Sequence, residues 1–293
     1  MKNLWIRALA ALALLLPAWC LAAGPLGAEA LHARYAALAP QLAKNAFGGP
    51  LVLQSQEASR RIDGEVFAVL SHPFPKVEAA LSDPRQWCDI LILHLNTKYC
   101  HLQQAQGTTT LDVRVGRKNP QSISAASRLD FVWRPPKVGS DYLLASLEAP
   151  DGPYDTSNYR LLVEAVPLDD NRTFLHMGYA LSYGGASEFA MGLYLGTIAR
   201  DKVGFTRVPP GQDGADGYVG GQRGVVERNT MRYYLAIDAY LDSLSAPPAL
   251  QLERRLKTWF DATEKYPKQL HEVERDDYLK MKRDEVERQK TAQ

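Results

Sequence analysis

The sequence has 293 residues, of which 46% are hydrophobic, so it is long enough to bury one large core or two modest ones. Its 34 basic and 33 acidic residues nearly balance, and it contains no recognised nucleic-acid-binding motif. This composition argues against a nucleic-acid-binding protein.

The first residues have the order of a cleavable signal peptide. Two basic residues precede an apolar run at 8–19, and the small residues Ala22 and Ala23 follow. The run is about a dozen residues long, whereas a membrane-spanning helix needs about 20. We predict a signal peptide over 1–23, cleavage after Ala22 or Ala23, a periplasmic protein and no transmembrane span in the mature chain. Lipidation of Cys20 is not expected, because bulky Trp19 precedes it.

Two cysteines, Cys88 and Cys100, remain after the predicted cleavage. Because exported chains fold where thiols oxidise, we predict a disulfide between them. Closing a loop of about a dozen residues stabilises a fold by ~3 kcal/mol. Two buried free thiols, or a redox or metal role, are the alternatives, although the pair alone supplies too few ligands for a metal.

The N-terminal third mixes short helices and strands. Apolar residues at helical spacing, including Leu31, Leu38 and Leu42, predict a helix within 24–50. Strands are predicted at 51–54 and 62–70, and helices at 76–81 and 86–95, with breakers between the two helices.

From about Lys98 the hydrophobic period changes to two. Leu129, Phe131 and Trp133 alternate with charged residues, and similar rows recur at 111–115, 143–147, 159–165 and 175–183. Such alternation is typical of antiparallel strands with one covered face, and the short turns between the rows favour a meander.

A long amphipathic helix is predicted at 225–244, with a stripe at Val226, Thr230, Tyr233, Ile237 and Tyr240. The residues after it, 246–293, form a helical extension that Pro267 should interrupt at Tyr266. Beyond Val273 charged residues predominate, which predicts a solvated helix that frays or that awaits a protein partner.

This order of elements resembles the helix-grip superfamily of START and Bet v 1-like (SRPBCC) proteins over residues 51–245. The resemblance is one of element order, and no residue-level motif accompanies it. It implies an α+β fold in which a curved antiparallel sheet grips a long C-terminal helix and leaves a cavity for a lipid, a sterol or another hydrophobic molecule. The segments 24–50 and 246–293 fall outside the resemblance.

Candidate ligand-binding residues lie on the inward rows and on the long helix. Aromatic bodies with polar tips can orient an apolar ligand, although the same residues can equally be core aromatics. We predict ligand contacts from Trp133, Tyr159, Met177, Tyr179, Tyr183, Arg232 and Tyr233.

Several charged or histidine residues allow a structural or a functional interpretation. His176 has outward parity on its strand, which favours packing over catalysis. His94 is placed on the 86–95 helix near Asp89, at an offset that suits an acid–base pair poorly. Glu227, with its neighbours Arg228 and Arg232, either anchors a ligand head group or fixes the helix against the sheet.

Three functions remain compatible with these patterns. The first is an exported protein that carries or senses a hydrophobic small molecule or lipid. The second is an interaction or assembly protein that binds a partner through its C-terminal tail, and the third is a helix-grip enzyme of the cyclase or hydrolase type. Common catalytic signatures are absent from the sequence, and we predict no cofactor, no metal site and no catalytic residue. An uncharged run at 189–198 could touch a membrane or form a buried helix.

Overall fold

A computed structural model describes residues 25–185, 202–209 and 217–291. The predicted signal peptide and the uncharged run at 189–198 lie outside these ranges.

A single antiparallel sheet of eight strands forms the centre of the fold, and it is curved. Two strands precede the short helices, and a six-stranded meander follows them. The strands are β1 (Leu51–Ala58), β2 (Arg61–Leu70), β3 (Thr97–Ala105), β4 (Thr108–Val115), β5 (Ser127–Gly139), β6 (Tyr142–Asp151), β7 (Thr156–Asp169) and β8 (Arg172–Tyr183). Their spatial order is β1–β2–β8–β7–β6–β5–β4–β3, so β1 and β3 are the edge strands.

The inner face of the sheet carries the main core. Leu129, Phe131 and Trp133 point into it together with the predicted rows of the other strands. The period-two alternation therefore placed these side chains on the correct face, because successive residues of a strand point to opposite sides.

Three helices, which are α2 (Phe74–Leu81), α3 (Pro84–Leu91) and α4 (Gly221–Ser243), pack against the inner face. The long helix α4 contacts β1, β2 and β8. It approaches the sheet closely at Gly64, where an added Cβ would clash with the Thr230 hydroxyl. The fold is thus the predicted α+β helix-grip arrangement.

Helix α3 is shorter than predicted. The apolar pattern continues through Leu93 and Leu95, but the chain turns after Leu91 and buries both leucines in the connection to β3. Periodicity alone could not detect this end, because residues buried on all sides look alike in a helix and in a packed turn.

The N-terminal helix α1 (Ala28–Ala43) covers part of the outer face of the sheet. Leu31, Leu38 and Leu42 of this helix form a second apolar cluster with outer-face residues such as Phe67 and Phe174. Two layers of helix therefore enclose the sheet in this region.

The C-terminal extension is part of the folded core. It consists of α5 (Pro248–Thr263), α6 (Pro267–Leu270) and α7 (Arg275–Thr291), and the chain breaks near Pro267 as predicted. The prediction of a solvated, fraying last helix is wrong: Tyr278 and Met281 of α7 are buried against the main core. Charged residues usually indicate a solvated helix, but some of those in α7 are buried in ion pairs, such as Glu285 with Lys98 at 3.1 Å.

The predicted disulfide is present and joins Cys88 of α3 to Cys100 of β3, with 5.2 Å between their Cα atoms. It fastens the α3–β3 connection at both ends. Since β3 is an edge strand, the disulfide also fixes one border of the sheet to the helical layer.

Candidate functional site

An open cavity of about 500 Å³ lies between one end of the sheet and the first half of α4. Its walls come from the ends of β4 and β8, the start of β7, the turn before β3 and one face of α4. The apolar lining consists of Ile62, Val115, Leu129, Leu181, Val225 and Val226, and the polar or aromatic lining includes His94, Asn96, Thr156, Tyr159, Tyr179, Tyr183, Gln222, Asn229 and Tyr233.

Two sequence periods bring this lining together. Alternation along β8 turns Tyr179, Leu181 and Tyr183 to the inner face. Steps of three and four along α4 place Asn229 and Tyr233 on the side of the helix that faces those strands. A volume of this size suits a small organic molecule.

Four of the predicted ligand-binding residues, all tyrosines, line this cavity. The rings of Tyr179 and Tyr233 are 5.2 Å apart between centroids, and Tyr159 lies 6.5 Å from Tyr179. The hydroxyl groups of Tyr159 and Thr156 are 2.7 Å apart, and the hydroxyl of Tyr183 donates to Glu57.

Burial governs the ionisation of these tyrosines. It raises the pKa of Tyr159, Tyr179 and Tyr233 above the usual value for a phenol. Their hydroxyl groups therefore stay protonated near neutral pH. The hydroxyls of Tyr179 and Tyr233 make no hydrogen bond to any residue that the structure describes, so they can serve a ligand.

The other three predicted residues do not line the cavity. Trp133 packs against Trp87 in the core, with 5.9 Å between ring centroids, and Met177 is fully buried. The Arg232 guanidinium donates to Glu272 at 2.9 Å and to the Leu270 carbonyl at 3.3 Å. It ties α4 to the C-terminal extension.

His94 also lines the cavity, although it is not among the predicted ligand-binding residues. It lies in the turn after α3, and its ring stacks on Tyr233 at 4.7 Å. The pairing of His94 with Asp89, which its offset disfavoured, is not formed, and Asp89 binds Arg255 at 2.8 Å. A single histidine within an apolar run gives no periodic signal that would have marked it.

The Glu227 carboxylate has a structural role. It accepts hydrogen bonds from the Ser55 hydroxyl at 2.5 Å, from the Thr206 hydroxyl at 2.6 Å and from the backbone N–H of Thr206 at 2.9 Å. The neighbouring Arg228 donates to the Val203 carbonyl at 3.1 Å. These contacts favour the interpretation in which the charges fix α4, rather than the one in which Glu227 holds a head group.

His176 lies on the outer face, as its parity predicted, and is fully buried there. Its Nδ1 is 2.9 Å from Glu164 and its Nε2 is 3.0 Å from Glu65. The same Glu164 carboxylate accepts hydrogen bonds from the backbone N–H groups of Leu26 and Gly27. This cluster attaches the start of α1 to the sheet.

Within the described ranges, no three histidine, cysteine or acidic side chains gather in a group that could hold a metal ion. None of the helices in those ranges combines the length and apolar character required to cross a bilayer.

Comparison with known proteins gives similarity in structure alone. No family model matches the sequence, and no curated protein matches it. Among solved structures, norcoclaurine synthase from Thalictrum flavum is 12% identical over 49% of this chain and 91% of that chain, with a TM-score of 0.35. The Zhui aromatase/cyclase from Streptomyces sp. R1128 is 13% identical over 68% of this chain and 94% of that chain, with a TM-score of 0.32.

Ara h 8.0201 is 10% identical over 67% of this chain and 99% of that chain, with a TM-score of 0.35. All three proteins have Bet v 1-like folds. The fold class of this chain rests on its own strand order and on the long helix packed against the sheet.

Proposed function

We propose that this protein binds a small, mainly apolar molecule in the cavity between the sheet and α4. The observation that carries this proposal is an open volume of about 500 Å³ whose lining is mainly aliphatic and aromatic. Its aliphatic walls suit an apolar body, and its tyrosine hydroxyls supply a few fixed polar contacts.

The proposal includes export to the periplasm. The signal-peptide pattern over 1–23 supports it, and so does the Cys88–Cys100 disulfide, because structural disulfides persist mainly in oxidising compartments. The expected mature chain begins after Ala22 or Ala23. Intact-mass measurement of protein recovered from a periplasmic extract tests this part, and a full-length cytoplasmic product would contradict it.

Fluorescence titration with the apolar dye N-phenylnaphthylamine tests ligand binding. The wild-type protein should bind one dye molecule in the cavity. The variant Leu181→Trp fills the cavity from its lining and should weaken binding by about tenfold or more, a loss of ~1.4 kcal/mol.

Leu102→Trp is the matched control, because Leu102 is also a partly buried strand leucine but does not line the cavity. Equal binding by both variants and the wild type would overturn the proposal. If Leu181→Trp alone weakens binding, organic extraction of the protein purified from its own compartment, followed by mass spectrometry, identifies the natural ligand.

A further inference from the structure

The inner end of the cavity contains a hydrogen-bond donor with a fixed direction. The Nδ1 atom of His94 accepts a hydrogen bond from the backbone N–H of Asn96 at 3.1 Å. A neutral imidazole that accepts at Nδ1 carries its proton on Nε2. The turn between α3 and β3 therefore presents His94 as an Nε2–H donor.

This donor is buried and lacks a partner of good geometry. Only 2% of His94 is exposed, and its Nε2 makes no hydrogen bond to any atom of the described residues. The Asn229 side chain lies close enough on the cavity wall to stabilise the charged form of the ring, but its geometry falls short of a full hydrogen bond to Nε2. A buried polar group without a partner is costly, and a ligand acceptor would remove that cost.

The ring is kept neutral by its surroundings. Burial lowers the pKa of His94 well below its ordinary value, and the charges of Arg232, Lys282 and Lys118 lower it further, while Asn229 acts in the opposite direction. The His94 ring itself therefore contributes a dipole rather than a charge to this end of the cavity.

The charges behind His94 are predominantly positive. Glu272 lies within 3.3 Å of a lysine or arginine nitrogen on three side chains, which are Lys118, Lys202 and Arg232. Glu285 is shared in the same way by Lys98 and Lys282. With Arg288, which lies 4.0 Å from Glu285, six cations share these two carboxylates among the described residues. Three of the cations, Arg232, Lys282 and Lys118, act on His94, so the charge at this end of the cavity favours a negative group.

We propose that the His94 end of the cavity binds the acidic group of a small apolar acid, with His94 Nε2–H and the Asn229 carboxamide as its hydrogen-bond partners. This inference rests on the proposed function of the cavity. A carboxylate or a sulfonate would accept from the imidazole, and the Tyr179 and Tyr233 rings would contact the apolar body. Charge-assisted hydrogen bonds of this kind are about twice as strong as neutral ones.

Two dyes that differ in one acidic group test the proposal. Anilinonaphthalene sulfonate carries a sulfonate on nearly the same aromatic body as N-phenylnaphthylamine, which has none. The variant His94→Phe keeps a ring on Tyr233 and removes the donor. It should weaken sulfonate-dye binding by about tenfold, equivalent to ~1.4 kcal/mol, and leave the neutral dye nearly unchanged.

Two further variants control for structural effects. His94→Gln restores an N–H close to the Nε2 position and should recover most of the sulfonate-dye affinity. His101→Phe changes a histidine that also stacks on a tyrosine, Tyr99, outside the cavity, and it should affect neither dye. Thermal unfolding verifies that each variant is folded.

The outcomes separate the inference from the function on which it rests. If the wild-type protein binds neither dye, the proposed function is overturned. If it binds both dyes and His94→Phe weakens both equally, or neither, the acid-binding role of His94 is overturned while the cavity function stands. If His94→Gln does not recover the affinity for the sulfonate dye, the role of His94 as a hydrogen-bond donor is likewise contradicted.

Discussion

The side chain of Gln289 in α7 accepts a hydrogen bond from the backbone N–H of Cys100 in β3, with an N–O distance of 3.0 Å. Edge strands present unpaired N–H and C=O groups that promote association with other chains. Here the last helix covers the edge that β3 would otherwise expose. The C-terminal extension therefore completes the sheet, which explains why its polar residues are partly buried.

The buried charges of α7 should make Glu285 important for stability. Its carboxylate lies 2.7 Å from Lys282 and 3.1 Å from Lys98, and all three side chains are fully buried. Replacing Glu285 with Gln leaves two ammonium groups without a counter-charge. We expect the free energy of unfolding to fall by about 3 kcal/mol at pH 7, measured by urea denaturation.

Glu287→Gln is the control for that measurement, because Glu287 lies on the same helix and its side chain is 65% exposed. Its effect should stay within about 0.5 kcal/mol. Equal, small effects of both substitutions would show that α7 contributes little to the stability of the sheet.

The disulfide gives a second prediction. Reduction of Cys88–Cys100 should lower the free energy of unfolding by about 3 kcal/mol, because the reduced unfolded chain gains conformational entropy. The double variant Cys88→Ala/Cys100→Ala should have the stability of the reduced wild type and should not respond to reductant. A reductant effect that persists in the double variant would contradict this explanation.

Most of the fold could be predicted from the sequence because its signals are local. Alternation of apolar residues with charged residues along β5, and with small or polar residues along β8, assigns the inner face, and the stripe on α4 identifies the helix that packs there. The tyrosines of the cavity follow from the same two periods. These periods report only which side of an element is apolar.

The features that could not be predicted depend on contacts between residues far apart in the chain. Lys98 and Glu285 are separated by 187 residues and pair only when α7 packs on β3. His94 gains its significance from Asn96 and Asn229, which approach it through a turn and a distant helix. From the sequence alone, a charged residue or a histidine that will be exposed to solvent cannot be distinguished from one that will be buried with a partner.

The close approach of α4 to the sheet gives a third prediction. An alanine Cβ at Gly64 would meet the Thr230 hydroxyl at 2.2 Å and the Thr230 Cβ at 3.2 Å. Gly64→Ala should therefore displace α4 and reduce the free energy of unfolding by about 1–3 kcal/mol. Thr230→Ala removes the clashing oxygen, so the double variant should lose less than the sum of the two single variants, by about 1 kcal/mol.

Gly178→Ala is the matched strand control, since its added Cβ would meet Leu162 at an ordinary 3.9 Å. We expect a change of no more than about 0.5 kcal/mol. Strict additivity of Gly64→Ala and Thr230→Ala would contradict the proposed contact.

The cluster beneath α1 should make stability depend on pH. Burial alone would lower the pKa of His176, but its hydrogen bonds to Glu164 and Glu65 outweigh that effect and raise the pKa above 6.5. The contribution of His176 to the free energy of unfolding is therefore fully present below pH 6.5, and it is lost as the pH rises through the folded-state pKa of His176. Burial would raise the pKa of Glu164, but hydrogen bonds from His176, Tyr142 and the backbone lower it below 4.5.

Glu164 consequently stabilises the fold above pH 4.5 and loses this effect as the pH falls through its folded-state pKa. Both contributions are present between pH 4.5 and 6.5. The difference in unfolding free energy between the wild type and His176→Gln should thus be largest in that range and should narrow as the pH rises further. Urea denaturation across that range and above it measures the difference, and a constant difference would show that the imidazolium does not hold α1 on the sheet.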